Sequence, residues 1–167
     1  MRVAFLAPEL ARWDASSLDG LVGWVFSDER PPRGVAGLLD WRTCGRVSRW
    51  MQSGEVEGRS GEAMLFPPGH GLPFRMALLL GAGERAAYDE GSFREAVRDG
   101  LDRAQRLGLR RFAMGLLARS PAVSTRRAIE ILLDEGAELD VDLFLVEPPA
   151  AQKEMGEVVR QRRITAP

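Results

Sequence analysis

Residues 74–104 read FRMALLLGAGERAAYDEGSFREAVRDGLDRA, and this stretch decides the class of fold. Phe74–Leu80 is apolar at nearly every position and has the length of a buried strand. Gly81 and Gly83 follow it and are typical of a tight strand-exit turn. The first half of the stretch therefore predicts a strand of the central sheet.

The second half of the stretch predicts an amphipathic helix. Ser92, with Glu95 three residues later, has the spacing of a capping box. The apolar residues that follow recur at helical spacing on one face: Phe93, Val97, Leu101 and Ala104. A buried strand followed closely by such a helix is typical of an α/β domain.

The segments on either side repeat this alternation of strands and helices. Further strands are predicted at Met1–Ala7, Leu21–Phe26, Ala63–Phe66, Arg111–Leu117 and Val141–Val146, and further helices over Gly34–Gln52, bent near Gly45, and from a Ser120 cap to Gly136. The order predicts a three-layer α/β domain with a mixed, mostly parallel sheet flanked by helices. We assign it to residues 1–149 and expect a polar, Arg-rich tail or short helix over 150–167.

The amino-acid composition argues against most metal-dependent and hydrolytic chemistry. The chain has 167 residues, which is the length of one domain, with one cysteine and one histidine. A lone Cys44 forms no internal disulfide, which favours a reducing compartment, and a zinc site or histidine triad would have His70 as its only histidine. We therefore expect no metal, no cofactor and no hydrolytic centre.

The net charge and the hydropathy of the sequence indicate which partners and which cellular location to expect. The net charge is −1, so the chain as a whole has no attraction for nucleic acid or for an anionic membrane. The longest apolar run, Met76–Leu80, is far shorter than the roughly 20 residues of a membrane helix. The amino terminus lacks a secretory pattern, so we expect a cytoplasmic protein.

The turn after the central strand is a candidate nucleotide site. Gly81, Gly83 and Ala86 match a G-x-G-x-x-A spacing, in which backbone amides can bind phosphate. The predicted helix start at Ser92 is too distant for a dinucleotide fold. A structural turn is the main interpretation, and a looser phosphate site on Gly81, Ala82 and Gly83 is the alternative.

The remaining polar candidates have structural interpretations. We interpret His70 as a loop residue rather than a general base. Cys44 has Arg42 and Arg46 nearby in sequence, and we interpret it as a half-buried structural cysteine rather than a reactive one. The acidic residues of one region lack calcium-loop spacing and are interpreted as solubility and capping groups: Asp40, Glu55, Glu57 and Glu62.

Aromatic and arginine residues supply the candidate interfaces. All four tryptophans fall in the first 50 residues, and large aromatics often anchor protein contacts. Core packing is the alternative for at least two of them. The interface candidates are Trp13, Trp41 and Trp50, together with Arg160, Arg162 and Arg163 near the carboxyl terminus.

Three segments carry a resemblance to a known family. They are Leu39–Gly45 (LDWRTCG), Gly54–Glu62 (GEVEGRSGE) and Arg75–Gly83 (RMALLLGAG). Their order resembles the amino-terminal domain of the leucyl aminopeptidase family, which has a G-D-F-x-G-K-x-G-E-like loop and an R-V-L-L-V-G-L-G-like strand. Val56 takes the aromatic position of that loop and Arg59 takes the lysine position. The resemblance covers about residues 1–147 and implies a macro-like α/β fold.

The resemblance also implies which functions are absent. In that family the metal ligands and the catalytic arginine belong to the carboxy-terminal domain, whose N-T-D-A-E-G-R-like motif this sequence does not contain. We therefore expect a non-catalytic macro-like domain that acts through protein contacts, with itself or with a partner, as the family's amino-terminal domain does in hexamers. The first alternative is a domain that binds or hydrolyses ADP-ribose or another nucleotide and uses Gly81–Gly83. A further alternative is one domain of a longer peptidase.

Overall fold

The computed structural model describes residues 1–67, 69, 72–116 and 123–165, except for the side chains of Arg163 and Thr165. The elements follow the predicted alternation. In chain order they are β1 (Arg2–Leu6), α1 (Leu10–Asp14), β2 (Gly20–Val25), α2 (Gly34–Arg42), α3 (Arg46–Ser53), β3 (Ala63–Phe66), β4 (Met76–Gly81), a single 3₁₀ turn (Arg85–Ala87), α4 (Glu90–Arg106), β5 (Arg111–Met114), α5 (Thr125–Glu135), β6 (Asp142–Val146) and α6 (Pro149–Thr165).

The strands form one mixed sheet in the order β1-β6-β5-β2-β4-β3. Among the described strands, β3 alone is antiparallel to its neighbour, and the other adjacent pairs are parallel. The predicted mixed, mostly parallel sheet is therefore confirmed. From β2 the chain continues to β3 and β4 on one side, whereas from β5 it continues to β6 on the other. The strand order thus reverses between β2 and β5, where ligands bind in open α/β sheets.

Helices cover both faces of the sheet, which gives the predicted three layers. Residues of β2 alternate between two cores: Leu21 and Val25 belong to the core under α2 and α3, and Val22 and Trp24 to the core under α4, α5 and α6. All six residues of β2 are buried, as expected of a central strand. Within the described residues, no helix combines the length and the apolar character that crossing a bilayer requires.

The predicted bent helix over Gly34–Gln52 is two helices. Cys44 and Gly45 both have left-handed backbone conformations, with φ of 56° and 78°, and they separate α2 from α3. The Asp40 side chain then accepts hydrogen bonds from the backbone amide and the hydroxyl of Ser48, at 2.8 and 2.6 Å. Cys44 is exposed in this connection, so the prediction of a half-buried cysteine was wrong.

Two helices begin at residues other than the predicted ones. Asp89 caps α4 because its carboxylate accepts a hydrogen bond from the Ser92 amide at 2.8 Å, so Ser92 lies inside the helix. Ser124 caps α5 through the Arg127 amide at 3.2 Å. The predicted cap Ser120 lies outside the described residues, but a helix that begins at Thr125 does not need it.

We expected a tail or a short helix over residues 150–167, whereas Pro149–Thr165 forms the long helix α6. Its residues Met155, Val158 and Val159 are buried in the core that α4 and α5 also cover. One short helix, α1, was missed because the sequence around it is polar.

Candidate functional site

A cavity of about 350 Å³ lies at the carboxyl edge of the sheet, where the strand order reverses. The ends of four parallel strands and the first turns of α2 surround it. Its lining residues are Pro8, Trp24, Phe26, Glu29, Arg33, Gly34, Val35, Leu38, Arg85, Gly115, Leu116, Val146, Glu147 and Pro148. We call this cavity the carboxyl-edge cleft.

Most of the cleft wall is apolar. Trp24 and Phe26, at the end of β2, are buried core residues that border the cleft from beneath. Val146, the last residue of β6, and Leu116, two residues after β5, add further apolar side chains. Helix α2 can approach the end of β5 closely because residue 115 is glycine: a Cβ there would lie 2.6 Å from Cγ2 of Val35. The sequence therefore places a helix beginning directly over the strand ends.

Three charged side chains stand together in the cleft lining. The Glu29 carboxylate lies 3.3 Å from the Arg85 guanidinium and 3.5 Å from that of Arg33. The Arg85 guanidinium also packs over the ring of Phe26, with its carbon 5.1 Å from the ring centroid. We call Glu29, Arg33 and Arg85 the charged trio.

Asp28 fixes the backbone of Arg85 to the loop that follows β2. Its carboxylate accepts hydrogen bonds from the amides of Arg85, at 2.8 Å, and Ala86, at 3.4 Å. The hydrogen bond from the Arg85 amide holds the pKa of Asp28 below its usual value, despite a smaller opposing effect of desolvation. Two loops thus meet at the charged trio.

Helix α2 adds positive potential to the cleft. Among the described residues, no side chain caps its amino terminus. Its first intrahelical hydrogen bond runs from the Gly37 amide to the Arg33 carbonyl, at 3.1 Å. The amides of Gly34, Val35 and Ala36 precede it in the chain and have no acceptor within the helix. The partial positive charge of the helix start therefore lies beside the cleft, which Gly34 and Val35 line.

Glu147 is a buried carboxylate in the cleft wall, with 5% of its surface exposed. Its Oε1 atom accepts a hydrogen bond from the Leu116 amide at 2.9 Å. This bond ties the segment after β5 to the segment after β6. Glu147 therefore shapes the cleft by holding two strand ends together.

The sequence-predicted phosphate turn has a different role in the structure. The Gly81 amide donates to the Glu62 carbonyl at 2.9 Å, the Ala82 amide to the Val25 carbonyl at 2.9 Å, and the Gly83 amide to the Gly58 carbonyl at 2.8 Å. All three backbone donors are thus used within the protein. This use of the donors favours the structural turn, and the alternative of a phosphate site on Gly81, Ala82 and Gly83 stays a prediction.

The acidic residues of the preceding region are engaged in local structure. Glu62 accepts hydrogen bonds from the amides of Glu57, Gly58 and Arg59 at 2.9, 2.6 and 3.0 Å. Glu55 accepts a hydrogen bond from the Ser53 hydroxyl at 2.8 Å. Within the described residues, no three His, Cys, Asp or Glu side chains are close enough to hold a metal ion. His70 lies outside the described residues.

The tryptophan candidates occupy three different environments. Trp13 is fully buried and packs edge-on against Phe74, so it belongs to the core and not to a surface. Trp50 is half-buried, with its ring 4.7 Å from that of Phe66. Trp41 is 77% exposed on α2. Only Trp41 therefore presents most of its ring to a partner.

The three arginines that were predicted as interface candidates also differ in their surroundings. Arg160 is exposed, Arg162 forms an ion pair with Asp134 of α5, and the Arg163 side chain lies outside the described part of the chain. Arg162 thus holds α6 against α5.

Sequence reasoning missed the charged trio and Trp24 as site residues. Glu29 and Arg33 lie in the loop between β2 and α2, and Arg85 lies in the 3₁₀ turn after β4. The available signal was their position after strand ends, but it identifies a site only when the strand order is known.

The fold is that of a macrodomain-like α/β domain. Thermus aquaticus DarG macrodomain is 17% identical with a TM-score of 0.64, covering 87% of this chain and 98% of that chain. A Trypanosoma brucei macrodomain solved in complex with ADP-ribose is 20% identical with a TM-score of 0.67, covering 95% and 69%. A mutant tomato leucine aminopeptidase is 15% identical with a TM-score of 0.60, covering 100% and 38%.

The family model for the cytosol aminopeptidase family, N-terminal domain, matches residues 22–137, and this chain belongs to that family. The probable cytosol aminopeptidase of Cupriavidus pinatubonensis is 36% identical over 84 residues, which are 50% of this chain and 16% of that protein. That of Syntrophotalea carbinolica is 28% identical over 96 residues, 58% of this chain and 19% of that protein. The chain thus spans less than a fifth of these relatives, and the predicted family and fold are confirmed.

Proposed function

We propose that this chain is a non-catalytic binding domain whose carboxyl-edge cleft takes an organic anion of nucleotide size. The observation that carries the proposal is the cavity of about 350 Å³ at the point where the strand order reverses. Small-molecule sites have volumes of about 300–1,000 Å³, mostly apolar walls and a few convergent polar groups. The cleft has this composition.

The lining favours an anion that also has an apolar part. Arg33, Arg85 and the amino terminus of α2 supply positive charge on one side. Partly exposed Leu38 and the apolar residues at the ends of β5 and β6 supply surface that an organic group can contact. A nucleotide combines both parts, and the likeness to a macrodomain solved with ADP-ribose makes ADP-ribose the first ligand to test.

The non-catalytic part of the proposal rests on how the carboxylates are used. Of the two carboxylates in the cleft lining, Glu147 accepts the hydrogen bond of the Leu116 amide and Glu29 is paired with Arg33 and Arg85, so both are engaged within the protein. A carboxylate that accepts structural hydrogen bonds is poorly placed to move protons on a substrate. Because relatives are cytosol aminopeptidases, we further propose that the domain works in the cytoplasm.

Isothermal titration with ADP-ribose, AMP and inorganic phosphate tests the cleft. Leu38 lies in the cleft wall, is partly exposed and borders the core under α2 and α3, so Leu38→Trp should fill much of the cleft, and circular dichroism checks that the variant folds. The matched control is Leu65→Trp, at a 49% exposed position on β3 outside the cleft lining. We expect wild type and the control to bind an organic phosphate and Leu38→Trp to lose at least about tenfold in affinity. Equal binding by all three proteins, or binding by none, would contradict the proposal.

Protein contact is the second candidate function, and the exposure of Trp41 favours it. A ring that is 77% exposed on α2 is a suitable anchor for a second copy of the chain or for a partner. We expect sedimentation velocity to detect concentration-dependent association that Trp41→Ala removes and Leu65→Ala leaves intact. This candidate is refuted if wild type and Leu65→Ala are both monomers at every concentration and Trp41→Ala binds any identified partner as tightly as wild type does.

A further inference from the structure

The charged trio in the cleft lining has an unusual arrangement, because its carboxylate lies between two arginines that a ligand would use. Only 12% of the Glu29 side chain is exposed, whereas the Arg85 and Arg33 side chains are 33% and 74% exposed. All three residues line the same cavity. Glu29 therefore occupies the position in which the two guanidinium groups would bind an external anion.

We propose that Glu29 is an internal substitute for the anionic group of the ligand, and that binding displaces its carboxylate from Arg33 and Arg85. The inference rests on the proposed ligand function of the carboxyl-edge cleft. It gives Glu29 a specific role. Its carboxylate competes with the phosphate group of the ligand for the same two cations and so lowers the affinity of the ligand. Only ligands whose remaining parts also contact the apolar wall then bind well.

The contact distances favour displacement. Strong charge-assisted hydrogen bonds between nitrogen and carboxylate oxygen are about 2.7–2.9 Å long. The Glu29 contacts, at 3.3 and 3.5 Å, are longer than this. Glu135 offers a comparison within the same chain, because it also joins two arginines, Arg94 and Arg98, and its contacts are 2.7 and 2.8 Å. Glu29 is thus the more loosely held of two similarly buried carboxylates.

The cation that would receive the ligand stays in place when Glu29 leaves. The Arg85 guanidinium packs over Phe26, and its backbone amide is held by Asp28. These contacts do not involve the Glu29 carboxylate. Arg85 is therefore positioned in advance for an incoming anion, which lowers the entropy cost of binding.

The test is isothermal titration of AMP and of inorganic phosphate into wild type, Glu29→Gln and Glu29→Ala at two salt concentrations. Glu29→Gln keeps the size of the side chain and removes its negative charge. Since exposed or half-exposed ion pairs are worth up to about 1 kcal/mol each, we expect AMP to bind about three- to tenfold more tightly to Glu29→Gln, with a smaller gain at high salt. Glu29→Ala should show the same direction, and circular dichroism checks that both variants fold.

The control is Glu135→Gln, which removes an equally buried carboxylate between two arginines outside the cleft lining. It should bind AMP as wild type does, whereas Arg85→Gln should weaken binding. If wild type binds AMP in an Arg85-dependent way and neither Glu29 variant binds more tightly, the role of Glu29 is refuted and the cleft proposal stands. If AMP and phosphate bind to none of these proteins, the cleft proposal and this inference both fail.

Discussion

Replacing Gly81 with alanine tests the close packing between the end of β4 and the Gly54–Glu62 loop. A Cβ at residue 81 would lie 1.9 Å from the carbonyl oxygen of Arg59 and 2.8 Å from the carbonyl carbon of Gly58. Both are backbone atoms, so no side-chain rotation relieves the overlap. The loop would have to move by at least about 1 Å to reach the 3.0 Å below which real Cβ contacts essentially never occur.

The cost follows from what this movement breaks. The loop is joined to β4 and the turn after it by two backbone hydrogen bonds, from the Gly81 amide to Glu62 and from the Gly83 amide to Gly58. Each is worth about 1 kcal/mol net, and residual steric strain adds about 1–3 kcal/mol. We therefore expect Gly81→Ala to lower the free energy of unfolding by about 3–5 kcal/mol.

Urea unfolding measures this loss. With a denaturant slope of about 2 kcal/mol/M, the transition midpoint should fall by about 2 M. The control is Gly156→Ala on α6, where the added Cβ would lie 3.7 Å from side-chain atoms of Arg160 and Phe5. Helix propensity predicts that this control gains about 0.5–1 kcal/mol. If Gly81→Ala stays within about 1 kcal/mol of wild type at an unchanged slope, the loop is not locked against β4 and the reasoning is refuted.

Two further predictions concern pH. Burial raises the pKa of Tyr88, the only tyrosine, above its ordinary value of about 10, so the neutral phenol stabilises the fold below that pH and the stabilisation is lost as pH rises. In an alkaline titration, phenolate absorbance should appear together with unfolding, and its appearance before unfolding would contradict this. Hydrogen bonding from Arg98, and then from Arg94, holds the pKa of Glu135 below its usual value, so its contribution is present above about pH 4.3 and lost as pH falls through the folded pKa. Glu135→Gln should therefore lose less stability between neutral and acidic pH than wild type or the exposed control Glu157→Gln, and identical acid profiles would refute this.

The sequence predicts most of the fold because the strands are short apolar runs with clear ends. Ala63–Phe66 was predicted with its observed bounds, and Leu21–Phe26 differs by one residue at each end. The helix starts were less predictable, because Asp89 and Ser92 are both suitable capping residues and only the backbone conformation at Asp89 decides between them. Helix α6 was underestimated because its buried residues are few and spaced among charges.

The candidate site was not predictable in the same way. Glu29 and Arg85 are separated by more than fifty residues in the chain. Glu29 belongs to no motif, and Arg85 takes a position of the G-x-G-x-x-A spacing at which any residue is allowed. They meet because β2 and β4 are parallel neighbours whose carboxyl ends lie side by side. Local patterns reveal strands and helices, but they do not contain the strand order that brings two loops together.

The segments that carry the family resemblance therefore concern the fold more than the ligand. In the Gly54–Glu62 loop, the Glu62 carboxylate holds three backbone amides, and its carbonyl receives the Gly81 amide of β4. A motif used in this way is needed wherever the loop must pack on β4, whatever the domain binds. Glu29 and Arg85 lie outside the three segments that show the resemblance, and both line the cleft. A change of ligand within this fold can therefore occur at the charged trio while the loop stays the same, so variants of Glu29 and Arg85 test function more directly than variants of the family motif.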